Sequence, residues 1–204
     1  GQKDDVWNGA GETAYVDSIE MSENEHKQTV VKALLKFDKI DNITQEVTYT
    51  IDGSGAVTVD ISFDPTQGSY SNNRLTRVGT TMVLPEGYEN VYWLGNGPVE
   101  TMWDRESGAM VGAYSNTVSR MFYPYLDTQD TGTMRGLRWF TVTNSNNKTA
   151  LAIASTKDFE ASALHFTVDD LTKARHPFDL TELPETILSV NYGSAGAGNA
   201  SCGP

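Results

Sequence analysis

Two acidic residues and a tryptophan lie close together in the segment YWLGNGPVETMWDR, residues 92–105. Glu100 and Asp104 are the acids, and Trp103 lies between them. Hydrolysis of a glycosidic bond uses two carboxyl groups held across a sugar-sized gap. The spacing alone does not set such a gap, and Asp104 beside Arg105 is equally typical of an ordinary ion pair. We therefore expect Glu100 to cap or pair locally rather than to act as a catalytic acid.

The nucleophiles and metal ligands in the chain are few and scattered. Cys202 is the single thiol, and His26, His165 and His176 are the three imidazoles. None lies in a recognisable catalytic motif, and their spacing does not form a metal-ligand set. The acidic stretch DTQDTG, 127–132, lacks the closing Glu of a calcium loop. The sequence therefore predicts no metal site in this chain.

Composition excludes several classes of partner. The 204 residues carry 15 Lys and Arg against 27 Asp and Glu, a net charge of −12. Such a charge repels phosphate backbones and anionic lipids, so we expect neither a nucleic-acid partner nor a membrane partner. A single Cys leaves the compartment open between cytoplasmic and exported.

The aromatic side chains divide into core and surface candidates. Trp93 and Trp139 lie within predicted strands, where packing in the core is the better expectation. Trp103 lies in a predicted loop and is the candidate for an exposed, sugar-stacking ring. Tyr123 and Tyr125 are further candidates if they share one face with each other.

Period-two alternation of apolar residues dominates the chain. Val47, Tyr49 and Ile51 alternate with threonines, a turn follows at 52–55, and apolar residues alternate again over 57–63. This pattern predicts a hairpin with one face in water. Further strands are predicted over 31–37, before a turn at Asp41-Asn42, over 137–144 and 151–155 as a second hairpin, and over 186–192.

Helical signals are scarce. The segment 167–175 offers Thr167 as N-cap, acidic residues in its first turn and basic residues near its end, and Pro177 prevents its continuation. We therefore predict an all-β, antiparallel sandwich with one short helix, as a single domain over residues 1–204.

Four blocks in order carry a family resemblance. They are TYTIDGSGAVTVDISF, RVGTTMVLPEGYENVYWLGNGPVETMWDR, YPYLDTQDTGTMRGLRWFTVTN and FEASALHFTVDDLTKARHPFDL. Together they resemble the C-terminal domain of glycoside hydrolase family two β-galactosidases. The most specific match is the Arg-x-Gly strand followed by the block that ends in Asp104-Arg105. The match covers about residues 45–204 and is weaker over 1–44.

The resemblance implies a β-supersandwich of the galactose-mutarotase-like kind. In this family the two catalytic glutamates lie in a preceding (β/α)8 barrel, which 204 residues cannot contain. The isolated chain is then expected to be inactive and to hold no cofactor, and the parent enzyme is expected to use Mg and Na. The expected partners are the remaining domains of the parent glycosidase and a β-galactoside.

The resemblance also assigns a loop at the rim of the active site to residues 195–204. The family loop carries paired acids and a Trp that stacks on the sugar. Here Gly196 and Gly198 keep the backbone permissive, Asn199 stands at one of the paired acids, Ser201 aligns, and Cys202 occupies the Trp position. A thiol cannot stack on a pyranose ring, so we expect substrate binding to differ from the Trp-bearing enzymes.

Two alternatives and one further expectation remain at this point. The chain is alternatively a free-standing carbohydrate-binding module, or a mutarotase-like epimerase that uses a His and a carboxylate. The family domain has strands before and after this segment, so the sequence is expected to be a truncated piece with an unpaired sheet edge. Unpaired edges favour association, and we expect self-association.

Overall fold

The computed structural model describes Trp7, Leu75 and the ranges 9–67 and 77–194. The chain divides into two compact units, Gly1–Arg74 and Leu75–Pro204. The predicted all-β, antiparallel class is confirmed in both units. The expectation of a single domain over 1–204 stays a prediction. Among the described residues, no helix has the length and apolar character to cross a bilayer.

The first unit is a four-stranded antiparallel sheet in sequence order. Its strands are β1 (Ala14–Glu23), β2 (Thr29–Phe37), β3 (Ile40–Ile51) and β4 (Val57–Phe63), with short 3₁₀ turns at Gly11–Thr13 and Pro65–Gln67. The predicted hairpin is confirmed, because Ile51 pairs with Val57 and Val47 with Ile61. Asp52 closes its turn by accepting a hydrogen bond from the Ser54 amide at 2.8 Å.

The predicted turn at Asp41-Asn42 is wrong. The chain turns at Asp38-Lys39, and Asn42 lies inside β3 with a φ of 61°. Ile40 and Ile43 are buried in a small apolar cluster, and their burial favours a strand conformation for this segment. The register between β2 and β3 shifts there, and the irregularity accommodates the left-handed Asn42.

The second unit is a six-stranded antiparallel sheet in the order β5-β10-β9-β8-β6-β7. The strands are β5 (Arg77–Leu84), β6 (Tyr88–Gly97), β7 (Met110–Thr117), β8 (Met134–Asn144), β9 (Thr149–Leu164) and β10 (Thr186–Ser194). The second predicted hairpin, β8 with β9, and the predicted last strand are confirmed. Both hairpin strands extend further than the sequence pattern indicated.

One face of this sheet carries the main core. Trp93 and Phe140 are fully buried and pair across β6 and β8, and Val91 pairs with Val142 beside them. Two short helices, α1 (Val118–Met121) and α2 (Val168–Lys173), contribute Val118, Met121 and Leu171 to the same core. Core packing of Trp93 is confirmed, whereas Trp139 is only partly buried.

The predicted helix is α2, and its predicted N-cap is confirmed. The Thr167 hydroxyl accepts a hydrogen bond from the Asp170 amide at 3.1 Å, and the Asp170 carboxylate accepts one from the Thr167 amide at 2.9 Å. This reciprocal capping box satisfies two amides that would otherwise lack partners. The helix ends at Lys173, before a 3₁₀ turn at Pro177–Asp179.

Candidate functional site

The glycine-rich loop lies outside the described residues. Its five candidate residues are Gly196, Gly198, Asn199, Ser201 and Cys202. Their assignment to an active-site rim therefore stays a prediction. The described chain reaches Ser194, at the end of β10.

Trp103 lies in the segment between β6 and β7, and its predicted exposure is confirmed. The side chain is 58% exposed. The segment is held at its start, where the Thr101 amide donates to the Thr133 carbonyl at 2.8 Å, and it turns where the Arg105 amide donates to the Met102 carbonyl at 2.9 Å. The ring is accessible for stacking, and a sugar-stacking role stays a prediction.

Glu100 is the buried centre of a hydrogen-bond network beside this segment. One carboxylate oxygen accepts from the Gly132 amide at 2.7 Å and from the Thr131 hydroxyl at 3.3 Å. The other accepts from the Tyr125 hydroxyl and lies 3.4 Å from a guanidinium nitrogen of Arg105. Glu100 is 7% exposed, and Thr131 is fully buried. Both oxygens of the acid are therefore engaged inside the protein.

Burial raises the pKa of Glu100 above its ordinary value. The Gly132 amide, the Arg105 charge and the Thr131 hydroxyl oppose this shift, and the nearby charge of Asp130 adds to it. A raised pKa is typical of catalytic acids, but it also accompanies structural carboxylates in networks. Because its acceptor positions are filled, Glu100 acts here as a clamp that joins residues 100, 125 and 131–132.

Asp104 does not join this network. Its carboxylate lies 3.8 Å from the Arg105 guanidinium, at the protein surface. The expected ion pair of Asp104 with Arg105 is thus present. Glu100 pairs with the nearby Arg105 as expected, but its hydrogen bonds come from residues 125, 131 and 132, which the expectation of local pairing did not include. Both acids of the segment 92–105 are thus held in structural contacts with other side chains or amides of the protein.

A cavity of about 290 Å³ opens next to the Glu100 clamp. Its walls include Glu100, Arg105, Tyr123 and Tyr125. The two tyrosine rings are stacked with centroids 6.4 Å apart and an angle of 28°. Arg105 lies over the Tyr125 ring at 5.4 Å, so it occupies one face of that ring. Trp103 does not line this cavity.

Sequence reasoning missed most of this arrangement. Thr131 and Gly132 belong to the stretch 127–132, whose sequence pattern does not point to Glu100, and Gly132 is 32 residues from Glu100. Gly132 has a φ of 70°, and a Cβ there would lie 2.6 Å from the Met121 carbonyl oxygen. No local pattern links the two segments, because only the folded sheet brings them together.

A second network also escaped sequence reasoning. Arg135 on β8 donates to Glu160 on β9 at 2.5 Å, and Glu160 accepts from the Ser194 hydroxyl at 2.6 Å. Glu160 is nearly fully buried. The other guanidinium arm of Arg135 lies 2.5 Å from Glu106. The network therefore connects the β6–β7 segment with the last described residue of β10.

The three histidines each lie close to a hydrogen-bonding or charged group of the protein. The two ring nitrogens of His165 lie 2.9 Å from the Glu185 carbonyl oxygen and 2.9 Å from the Glu89 carboxylate. Burial lowers the pKa of His165, but these two acceptors outweigh it, and the net shift is upward. His176 contacts the Leu126 carbonyl oxygen at 3.1 Å and stacks on Phe178. His26 is exposed beside Glu25.

Metal-ligating side chains do not gather in the part of the chain that the structure describes. No group of three or more His, Cys, Asp or Glu has the geometry to hold an ion there. The expectation that this chain holds no metal and no cofactor stays a prediction.

The chain is thus an antiparallel β-sheet protein whose second unit carries a buried carboxylate clamp beside an open, tyrosine-lined cavity. Comparison with known proteins then gives the family. The chain belongs to the family described as beta galactosidase small chain, whose model matches residues 1–204. The predicted family resemblance is confirmed.

Similar proteins are beta-galactosidases from several bacteria. The chain is 29% identical over 194 residues to that of Streptococcus thermophilus, covering 94% of this chain and 18% of the relative. It is 25% identical over 206 residues to that of Actinobacillus pleuropneumoniae, covering 98% of this chain and 20% of the relative. It is 30% identical over 153 residues to that of Photobacterium profundum, covering 74% and 14%. The chain spans at most a fifth of the length of these relatives.

Proposed function

We propose that this chain is the non-catalytic C-terminal domain of a glycoside hydrolase family two β-galactosidase. In this role it is a scaffold for the enzyme and contributes residues 195–204 to the rim of the site that hydrolyses a β-galactoside. The supporting observation is the family match over the whole chain, together with the small share of each relative that it covers. The chain alone is then inactive, and any Mg or Na dependence belongs to the rest of the enzyme.

The rim proposal is tested by replacing Cys202 in the galactosidase polypeptide that contains this chain. Cys202→Trp supplies the stacking ring and is expected to lower KM for nitrophenyl β-galactoside by about three- to tenfold, which corresponds to about 1 kcal/mol of aromatic contact. Asn199→Ala and Ser201→Ala are expected to raise KM. Leu126→Trp adds the same indole to an exposed position and is the matched control. Unchanged KM in all three loop variants would contradict the rim assignment.

Inactivity of the isolated chain is tested separately with the same substrate. We expect no hydrolysis by the 204-residue chain, even at protein concentrations at which the whole polypeptide gives a saturated signal in the same assay. Chelation is expected to lower activity of the whole polypeptide without changing the thermal stability of the chain. Measurable hydrolysis by the chain would contradict a non-catalytic role.

A carbohydrate-binding module is the second candidate, and the tyrosine-lined cavity favours it. Arg105 covers one face of Tyr125, so Tyr123 is the ring available to stack on a sugar. Titration of galactose or lactose, followed by tryptophan fluorescence, tests this role. Saturable binding that is lost in Tyr123→Ala and kept in Tyr192→Ala, an exposed tyrosine on β10, would favour the module. Absence of binding would contradict the module and favour the scaffold role.

The mutarotase-like alternative meets a geometric obstacle. It needs a His and a carboxylate placed around the ring oxygen and the anomeric hydroxyl of a sugar, whereas His165 and Glu89 lie 2.9 Å apart and contact each other. We therefore expect no acceleration of α-galactose anomerisation in a polarimetric assay.

A further inference from the structure

One face of the four-stranded sheet of the first unit is mostly apolar on all four strands, and its polar members are Glu23, Thr29 and Gln45. The register places cross-strand partners on the same face: Met21 with Val31, Val31 with Tyr49, and Tyr49 with Val59. Extending these rows gives one continuous surface, here called the apolar face. Its members are Val16, Ile19, Met21, Val31, Ala33, Leu35, Val47, Tyr49, Ile51, Val57, Val59 and Ile61.

The opposite face of the same sheet is mostly polar, with Val30 and Leu34 as its apolar members. Thr58 pairs with Thr50, and Asp60 pairs with Thr48. A period-two pattern with one apolar and one polar face is typical of a sheet whose apolar face is buried. The alternation therefore predicts that another protein surface covers the face that carries Val59.

That surface is open within the described residues of the first unit. Eight large apolar side chains on it are exposed, from 38% for Ile51 to 78% for Met21. Among the described residues of the first unit, only its end is covered, where Phe63 packs with Phe37, Trp7 and the buried Ile43. Monomeric proteins rarely expose a contiguous apolar patch of this extent, and larger patches mark interaction sites.

We propose that the apolar face is the docking surface for the part of the galactosidase polypeptide outside these 204 residues. This inference rests on the proposed function and names the surface through which the domain joins the enzyme. Its support is the length of chain that lies elsewhere, since the relatives extend over about five times the length of this chain. The two inner cross-strand rows of this face carry no charged side chain, so the face matches an apolar partner surface. These rows are Met21-Val31-Tyr49-Val59 and Ile19-Ala33-Val47-Ile61. A second copy of this chain would bring another net charge of −12 to the contact, which opposes pairing between copies.

The burial of this face is tested by thiol labelling in the whole galactosidase polypeptide. Val59→Cys places a thiol on the apolar face, and Thr58→Cys places one on the polar face of the same strand. Both positions are exposed in the chain described here. A buried thiol reacts only after local opening, so we expect maleimide to label Cys at 59 at least about tenfold more slowly than Cys at 58. Peptide mass spectrometry distinguishes these thiols from Cys202 and from cysteines elsewhere.

The occupant is identified by a diazirine analogue of methionine at Met21, the most exposed member of the apolar face. After irradiation, cross-links from the Met21 peptide to residues outside the 204 support the proposal. Cross-links to Leu75–Pro204 or between two copies would overturn it, as would labelling of positions 58 and 59 at equal rates. The pair Val57→Cys and Asp60→Cys repeats the comparison if either first variant fails to fold.

Failure of this inference is separable from failure of the proposed function. Each variant polypeptide is also assayed with nitrophenyl β-galactoside. An active enzyme in which position 59 reacts freely refutes the docking surface alone. A wild-type polypeptide without galactosidase activity refutes the proposed function.

Discussion

Removal of the Glu100 carboxylate is expected to destabilise the second unit by an amount that the network determines. In Glu100→Ala the Gly132 amide loses its acceptor in a buried position, which costs about 1–3 kcal/mol. The Thr131 hydroxyl still reaches the Tyr123 carbonyl oxygen at 3.3 Å, and the Tyr125 hydroxyl still accepts from Arg105 at 2.7 Å. Arg105 is about half exposed, so its lost ion pair adds little. With the space left by the side chain, we expect a total of about 2–4 kcal/mol.

Glu100→Gln separates the charge from the hydrogen bonds. The amide oxygen still accepts from Gly132 and Thr131, and the loss of charge removes the burial cost that raises the pKa of Glu100. We therefore expect Glu100→Gln to cost only about 0.5–1.5 kcal/mol.

Urea unfolding followed by tryptophan fluorescence measures both variants of Glu100. Trp93, Trp103 and Trp139 lie in the second unit and report on its unfolding. Glu86→Ala, which removes an exposed acid, is the control and should stay within about 0.5 kcal/mol of wild type. If Glu100→Ala costs less than about 1 kcal/mol, or if Glu100→Gln costs as much as Glu100→Ala, the clamp described here is wrong.

Three further predictions concern single contacts. Gly132→Ala should cost at least about 2 kcal/mol in urea unfolding, because a left-handed alanine is strained and its Cβ meets the Met121 carbonyl oxygen; a neutral result would contradict the backbone geometry. Thr167→Ala should cost about 1 kcal/mol through loss of the α2 cap, whereas Thr167→Ser should cost little. The pKa of His165 is raised above its ordinary 6.5 and that of Glu89 is lowered below 4.5. Their contribution to stability is therefore present between these values and declines as pH rises above 6.5 or falls below 4.5. Melting temperature measured against pH should show this decline in wild type and a flatter profile above pH 6.5 in His165→Gln.

Local sequence patterns were sufficient to predict those elements that depend on interactions between residues close together in the sequence. Alternation over 47–63 predicts the β3–β4 hairpin because side-chain direction alternates along any strand. Thr167 as N-cap, followed by acidic residues in the first turn, predicts a helix start, because these groups stabilise the free amides of that turn. The family resemblance added the identity of the domain, which no such pattern contains.

The clamp and the turn at Asp38-Lys39 depend on contacts that local patterns do not contain. Glu100 meets Gly132 only because β6 and β8 are neighbours in the sheet. Likewise, turn propensity favoured Asn42, but burial of Ile40 and Ile43 shifted the turn toward the amino terminus. In both cases long-range packing decides between locally acceptable arrangements.

The two units differ in how much of their apolar surface they bury, and this difference bears on how the domain is stabilised. The second unit has a core of fifteen buried apolar residues, whereas the main cluster of the first has three. Complete burial of a large apolar side chain contributes about 1.5–3 kcal/mol. Eight such side chains, each about half exposed, therefore leave roughly 6–12 kcal/mol unrealised on the apolar face. That amount is comparable to the whole stability of an ordinary domain, about 5–15 kcal/mol. The first unit is then expected to gain most of its stability from the surface that covers the apolar face, and hydrogen exchange in its strands should slow far more than in β8 and β9 when the chain is part of the whole polypeptide.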